Sequence, residues 1–275
     1  MLFYLRRTQE GGLAVQIGAA RVVLRDRTIA ESCDLGLRFL VRHARAYVTV
    51  GLIVIAPSYL VCGFFMREAG TAWGWALAML IAITASIPFT ALTARLMFAD
   101  TAKLSSVLTD SLRALPSYLV ADLVRYIILT LSFLFMMVGL IWTAPATFFL
   151  AEALLLERDG IGSAFRRASA LASAEHAEAL LGALLLGVAS LFAPLATDVA
   201  GRALIEALFD ASPPEPLWES GGGWLSLAGF WLMVPLASTI RFFIYINVRT
   251  RIEAWDVQTR FTTIADAVIN SGVRS

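Results

Sequence analysis

The sequence predicts an all-α fold: a polytopic membrane bundle of about six transmembrane helices, with amphipathic N-terminal and C-terminal cytoplasmic helices. Three observations predict it. The residues 48–66, 72–98, 118–140, 142–156, 179–200 and 224–247 are almost wholly Leu, Ile, Val, Ala, Phe, Trp and Gly, and a hydrocarbon core about 30 Å thick needs roughly 20 such residues per helix. Hydrophobic residues are 59% of the chain and mean hydropathy is +0.74, above the roughly 45–50% apolar content of soluble domains. The basic residues are distributed asymmetrically between alternate connections, as the positive-inside rule describes.

Residues 1–46 carry eight arginines and form a cytoplasmic basic segment. Without an apolar stretch near the start to act as a signal, the first apolar run is expected to stay as an anchor. Thr28-Ile29-Ala30-Glu31 fits a capping box. The helix it opens mixes Leu35, Leu37, Phe39, Leu40 and Val41 with Arg38, Arg42 and Arg45. Two placements fit that pattern: at the headgroup surface with Arg toward anionic lipid, or packed under the bundle.

Residues 47–248 form the transmembrane domain. The first span, 48–66, is closed by Arg67 and Glu68. The second, 72–98, opens with Trp73 and Trp75 at an interface and carries a small-residue seam at Gly74, Ala78, Ala82 and Ala85, which lets another helix approach closely. The stretch 118–156 as one helix would rise about 58 Å, roughly twice the core. It is therefore broken near Gly139–Thr143, with Pro145 near the start of the next helix. The loop 201–221 holds a short apolar helical stretch, Ala203 to Phe209, then Pro213, Pro214 and Pro216. Residues 249–275 form a cytoplasmic tail with Trp255, Val257, Phe261, Ile264 and Val268 near one helical face.

Six spans place 1–46, 99–117, 157–178 and 249–275 on one side, with Arg158, Arg166, Arg167, Arg249, Arg251 and Arg260 among their cations. The opposite loop holds Glu206, Asp210, Glu215 and Glu219 against Arg202. Both termini are then cytoplasmic, in a bacterial inner membrane; five spans would export Arg158, Arg166 and Arg167.

The net charge of +1 gives no general attraction to nucleic acid. Cys33, Cys62, His43 and His176 lack metal-ligand spacing, and no cofactor is expected. There is no His-Glu-x-x-His, Gly-x-Ser-x-Gly or Gly-x-x-x-x-Gly-Lys-Ser/Thr motif, so no catalytic residue is assigned.

Ionisable groups inside a membrane are expensive and mark function by default. Here they are Arg95, Asp122, Arg125, Glu152 and Arg241, all in the cytoplasmic half, with Asp198 apart. Asp122 and Arg125 share a helical face, and Glu152 can pair with Arg241 across helices. Two readings follow: an anion or lipid-headgroup site, or an ion-pair network with arginines snorkelling to the headgroups. Three arginines against two acids leave one cation over. Pro57, Pro88, Pro145, Pro194 and Pro235 recur in five spans and are compatible with broken helices lining a transport site.

Three patches carry a family resemblance: Leu24-Arg25-Asp26-Arg27-Thr28-Ile29-Ala30-Glu31 with Asp34; Glu157-Arg158-Asp159-Gly160 through Ala164-Phe165-Arg166-Arg167-Ala168-Ser169; and Tyr245-Ile246-Asn247-Val248-Arg249-Thr250-Arg251-Ile252-Glu253-Ala254-Trp255-Asp256. Together they resemble the bacterial multi-spanning proteins of the glycerophosphoryl diester phosphodiesterase membrane domain type. Asn247 stands where an Asp is common there, and Ala168-Ser169 shifts the usual Arg-Ser. The resemblance covers about 24–260 and implies a six-helix membrane module without an assigned reaction or catalytic residues. In the third patch Glu253 follows Arg249 by one turn, and Asp256 is placed to reach Arg166 or Arg167. That arrangement would clamp the tail under the bundle or form a docking site for a protein partner. The leading functional expectation is a non-enzymatic scaffold or accessory subunit of a membrane or envelope assembly. The alternative is a transporter or lipid-binding carrier using the charged cluster.

Overall fold

The computed structural model describes residues 27–99, 101–134, 139–157 and 160–272, with the backbone alone for Phe98, 156–157 and 253–272. Leu24–Asp26, Arg158 and Asp159 lie outside the described residues, as do the side chains of Glu253, Trp255, Asp256, Val257, Arg260, Phe261, Ile264 and Val268. The order is α1 (Ile29–Arg42), α2 (Ala44–Glu68), α3 (Thr71–Phe98), α4 (Leu104–Leu134), α5 (Leu140–Phe148), α6 (Leu150–Glu157), α7 (Ile161–Ala174), α8 (His176–Phe209), α9 (Leu217–Ser220) and α10 (Trp224–Gly272). Among the described residues there is no strand. The all-α polytopic bundle is the observed architecture.

The capping box forms as its residues dictate. The Glu31 amide donates to Thr28 Oγ1 at 3.2 Å, and the Thr28 amide donates to Glu31 Oε2 at 3.1 Å. The α1 face carrying Ser32, Gly36 and Phe39 is buried. Gly36 is required there by close approach: a Cβ at this position would lie 2.8 Å from Ile240 Cγ1 on α10. Phe39 meets Phe243 of α10 edge to face at 5.2 Å. The Asn247 side chain pins the start of this segment, accepting from the Arg27 amide at 3.0 Å and donating to the Arg27 carbonyl at 2.8 Å. One face of α1 thus packs on the bundle, while Leu37 and Val41 stay exposed.

Helices α2 and α3 form an antiparallel hairpin that matches the first two apolar runs. The small-residue seam serves internal packing: Gly74 lies against Met66 of α2, and Ala78 and Ala85 are buried.

Helix α4 begins at Leu104, well before the expected 118. Polar residues lower the hydropathy of its first turns, yet Val107 and Ser111 recur at helical spacing and are buried. The long apolar stretch after it does reverse direction. A Cβ at Gly139 would lie 3.0 Å from Ser132 Cβ, whereas an uninterrupted helix would separate these residues by about 10 Å. Pro145 falls inside α5 rather than near its start, and the helix is interrupted at Phe149 before α6. Proline removes the donor that the Ile141 carbonyl would use. Among the described residues, the apolar element Leu140–Leu155 is shorter than the five helices long enough to cross a membrane: Ala44–Glu68, Thr71–Met97, Leu104–Leu134, His176–Phe209 and Trp224–Ile252.

One further boundary is corrected, and one element runs on farther than a single span needs. Ala203 to Phe209 is the end of α8, not a separate turn, and the helix stops at Asp210 with φ 46°. The last span and the tail form one 49-residue helix, about 73 Å long and more than twice the hydrocarbon core.

α3 and α10 sit at the centre. One core cluster gathers Phe39, Tyr47, Phe89, Leu92, Trp231 and Phe242; a second gathers Tyr118, Phe149, Leu171, Ile244 and Tyr245. The outward faces of α2, α4 and α8 expose Leu52, Leu60, Phe64, Leu123, Ile127, Leu191 and Phe192. Contiguous apolar surface of this kind suits a lipid environment.

Candidate functional site

The embedded charges separate into two groups. Arg95, in the last turn of α3, donates through Nε to Asp110 Oδ2 at 3.0 Å and also pairs with it through Nη2. Asp110 belongs to α4 because that helix starts early. The cation left over in the sequence reading therefore has an acid opposite it. Asp122 lies about 18 Å farther along α4 at 1.5 Å per residue, so Arg95 is not brought into the cluster with the other four residues.

The second group is built from α3, α4, α6 and α10. Arg241 Nε donates to Glu152 Oε1 at 2.6 Å. The Glu152 side chain is fully buried and that of Arg241 is 15% exposed. Tyr118 is near enough to interact with Arg241, and its hydroxyl lies 3.2 Å from Ser86 Oγ. One turn beyond Tyr118, Asp122 Oδ1 pairs with Arg125 Nη1 at 3.2 Å. Arg241 is near enough for its charge to act on Asp122. Both pairings expected from the sequence are present, and Asp122, Arg125, Glu152 and Arg241 belong to one polar centre.

That centre is incompletely satisfied. Asp122 Oδ2, Glu152 Oε2 and Arg241 Nη2 are buried without a hydrogen-bond partner. A buried polar atom left this way costs on the order of 1–3 kcal/mol. Arg125 is the outermost member, with its side chain 24% exposed and its guanidinium 5.7 Å from the Tyr126 ring centroid. Tyr126 is itself exposed on α4.

Where α10 leaves the bundle, Arg251 pairs with Glu175 at 3.2 Å and Glu178 at 2.8 Å, tying α10 to the corner between α7 and α8. Arg249 donates to Tyr245 Oη at 3.4 Å. Arg166 is exposed on α7, and Arg167 is half-buried with an interaction of its own. The expected contacts of Glu253 and Asp256 fall on side chains outside the described residues. At the other end of the bundle, buried Asp198 accepts from the Leu217 amide at 3.0 Å, and Arg202 lies 5.9 Å from the Trp218 ring.

Sequence reasoning missed Asp110, Tyr118, Ser86, Glu175 and Glu178. A signal existed for Tyr118, which precedes Asp122 by four residues and therefore shares its face. Asp110 was hidden by its assignment to a loop. Among the described residues, no three His, Cys, Asp or Glu gather as metal ligands would. Both cysteines are free, and partial burial on α1 pushes the Cys33 thiol above its ordinary pKa.

No protein-family model matches this chain, and no curated protein or solved structure matches it either. The five long apolar helices and the exposed apolar belt are those of an integral membrane protein.

Proposed function

We propose that the protein is a non-enzymatic scaffold or accessory subunit of a membrane or envelope assembly, in a bacterial inner membrane with both termini cytoplasmic. The observation that carries this reading is the pairing of the embedded charges within the fold: Arg95 with Asp110, Arg125 with Asp122 and Arg241 with Glu152. Groups committed to one another hold helices in register rather than await a reaction. The long α10 supports the same reading, since it carries the chain well past a single bilayer crossing and offers a partner a helical handle. The six-helix module of the resembling family, with no assigned reaction, is consistent with it. Chemical cross-linking in intact membranes followed by gentle solubilisation and native mass spectrometry tests the proposal. A stoichiometric protein partner lost on truncation at residue 252 is expected; a monodisperse protein crosslinked to nothing overturns it. A carboxy-terminal green fluorescent protein fusion reads the orientation, and a dark fusion contradicts cytoplasmic termini.

A second reading, a transporter or lipid-binding carrier, is favoured by one specific observation: the three partnerless buried atoms of the Glu152–Arg241 centre. A centre serving architecture alone gains nothing by leaving them open.

A further inference from the structure

We propose that α1 and its bend into α2 form a docking surface for anionic phospholipid, with Arg42 and Arg45 holding the headgroup phosphate at the membrane surface. The inference needs only that the chain spans a membrane, and stands apart from the scaffold and carrier readings. Helix α1 lies across α10 rather than along it. Its start is held by Asn247, its middle packs on Ile240 and its last turn on Phe243. Those α10 residues lie within two turns of one another, whereas a 14-residue helix packed lengthwise would meet a stretch of about four turns. At the same level, the Tyr47 hydroxyl in the first turn of α2 lies 2.9 Å from Thr239 Oγ1 of α10. From there α2 runs antiparallel to α10 as far as Tyr59, which donates to the Trp224 carbonyl at 2.9 Å. The bend at His43 is therefore where α2 enters its crossing, and α1 lies toward the plane of the membrane surface.

The face of α1 turned from the bundle divides in two. Leu37 and Val41 are 50% and 65% exposed, and with exposed Val48 and Leu52 of α2 they keep helical spacing through the bend. The last two belong to the apolar belt that suits lipid, so the acyl-chain surface continues onto α1. Beside Leu37 and Val41, one residue on, stand Arg38 and Arg42, with Arg45 past the bend. Arg38 is committed to Asp34 at 2.9 Å. Arg42 and Arg45 are exposed and, among the described residues, have no carboxylate partner. The acids of α1, Glu31 and Asp34, stand at least eight residues before Arg42, about 12 Å or more along the helix and beyond a Debye length at physiological salt. An apolar flank beside unpaired guanidinium groups is the arrangement of an interfacial helix. A phosphodiester suits it, because a guanidinium presents parallel N–H donors to two phosphate oxygens while the acyl chains lie against Leu37, Val41 and Val48. A choline headgroup carries the same phosphate, but its own cation offsets the attraction, so the surface selects lipid of net negative charge. A soluble acidic protein would satisfy the arginines and leave the apolar flank in water.

The experiment places the full chain in nanodiscs of equal parts phosphatidylglycerol and phosphatidylcholine and weighs the retained lipid by native mass spectrometry. We expect phosphatidylglycerol to be retained over phosphatidylcholine by about twenty-five-fold, at about fivefold for each arginine. Arg42→Gln with Arg45→Gln should remove most of that preference, and Arg42→Lys with Arg45→Lys should keep much of it. If the double glutamine variant fails to fold, Arg42→Gln alone reads a loss of about fivefold. Arg67→Gln, at the far end of α2, should leave the preference unchanged. A photo-crosslinking amino acid placed at Val41 should form a lipid adduct in intact membranes. Equal retention of the two lipids overturns the proposal. A preference that survives the double glutamine change, or falls equally in Arg67→Gln, also overturns it, because the lipid is then held elsewhere or by net charge alone. A Val41 adduct to a second copy or to another protein overturns it by showing that protein covers this face.

Discussion

The Arg95–Asp110 pair and the Glu152–Arg241 pair join the same kinds of group in different surroundings. The first links the end of α3 to the early turns of α4, with both side chains partly exposed and two guanidinium nitrogens on one carboxylate oxygen. The second is enclosed by α3, α4, α6 and α10, with one carboxylate oxygen and one guanidinium nitrogen unengaged. Near an edge, water or headgroups complete whatever a pair leaves open. In the interior nothing does, so an open atom there is either a standing cost or a place for a ligand.

The largest effect that would sharpen this contrast is expected from Arg241→Ala. It leaves Glu152 enclosed and unpaired, and a loss of about 3–5 kcal/mol is predicted, measured by denaturing-detergent titration in mixed micelles. Asp110→Ala should cost less, about 1–2 kcal/mol, because Arg95 can turn to the surface. Equal losses for these two variants would break the comparison. The double change Glu152→Leu with Arg241→Met should fall within about 1 kcal/mol of the parent, since apolar replacement of a buried pair is often neutral. A double variant as damaged as Arg241→Ala alone would show that the cluster does more than offset its own charges. Arg251→Ala removes a half-exposed contact to Glu175 and Glu178; about 0.5–1 kcal/mol is expected, shrinking as salt is raised. The smallest test is chemical. In a Cys62→Ser background, alkylation of Cys33 should lag behind that of the denatured chain as pH rises through the ordinary thiol range. Burial keeps the folded thiol protonated to higher pH, and matching rates would show Cys33 to be freely solvated.

Much of the fold was legible because lipid imposes a strong signal. The runs 48–66 and 72–98 correspond closely to α2 and α3, and the Gly139 reversal follows from a length that no bilayer accommodates. The Thr28–Glu31 cap follows from local hydrogen bonding alone. Helix ends outside the hydrocarbon were harder to read, because hydropathy stops marking a helix where the membrane stops. Leu104–Ser117, with Asp110 in it, reads as a connection for that reason, and Ala203–Phe209 as a helical stretch separate from the span before it. Of the candidate site, the Asp122–Arg125 pair is a matter of spacing within one helix, and Glu152–Arg241 one of complementary charge.

What the sequence determined by itself is local: which stretches are apolar enough to be helical in lipid, which residues cap or interrupt them, and which charges are carried inward. Only the tertiary structure decided that α1 packs on α10 through Gly36, that Arg95 meets Asp110, and that Tyr118 and Ser86 extend the Glu152–Arg241 pair. The first set depends on each segment's own transfer into a membrane and on bonds within a turn or two. The second depends on how helices rotate and slide against one another, a choice made jointly by packing over the whole bundle and written in no single segment.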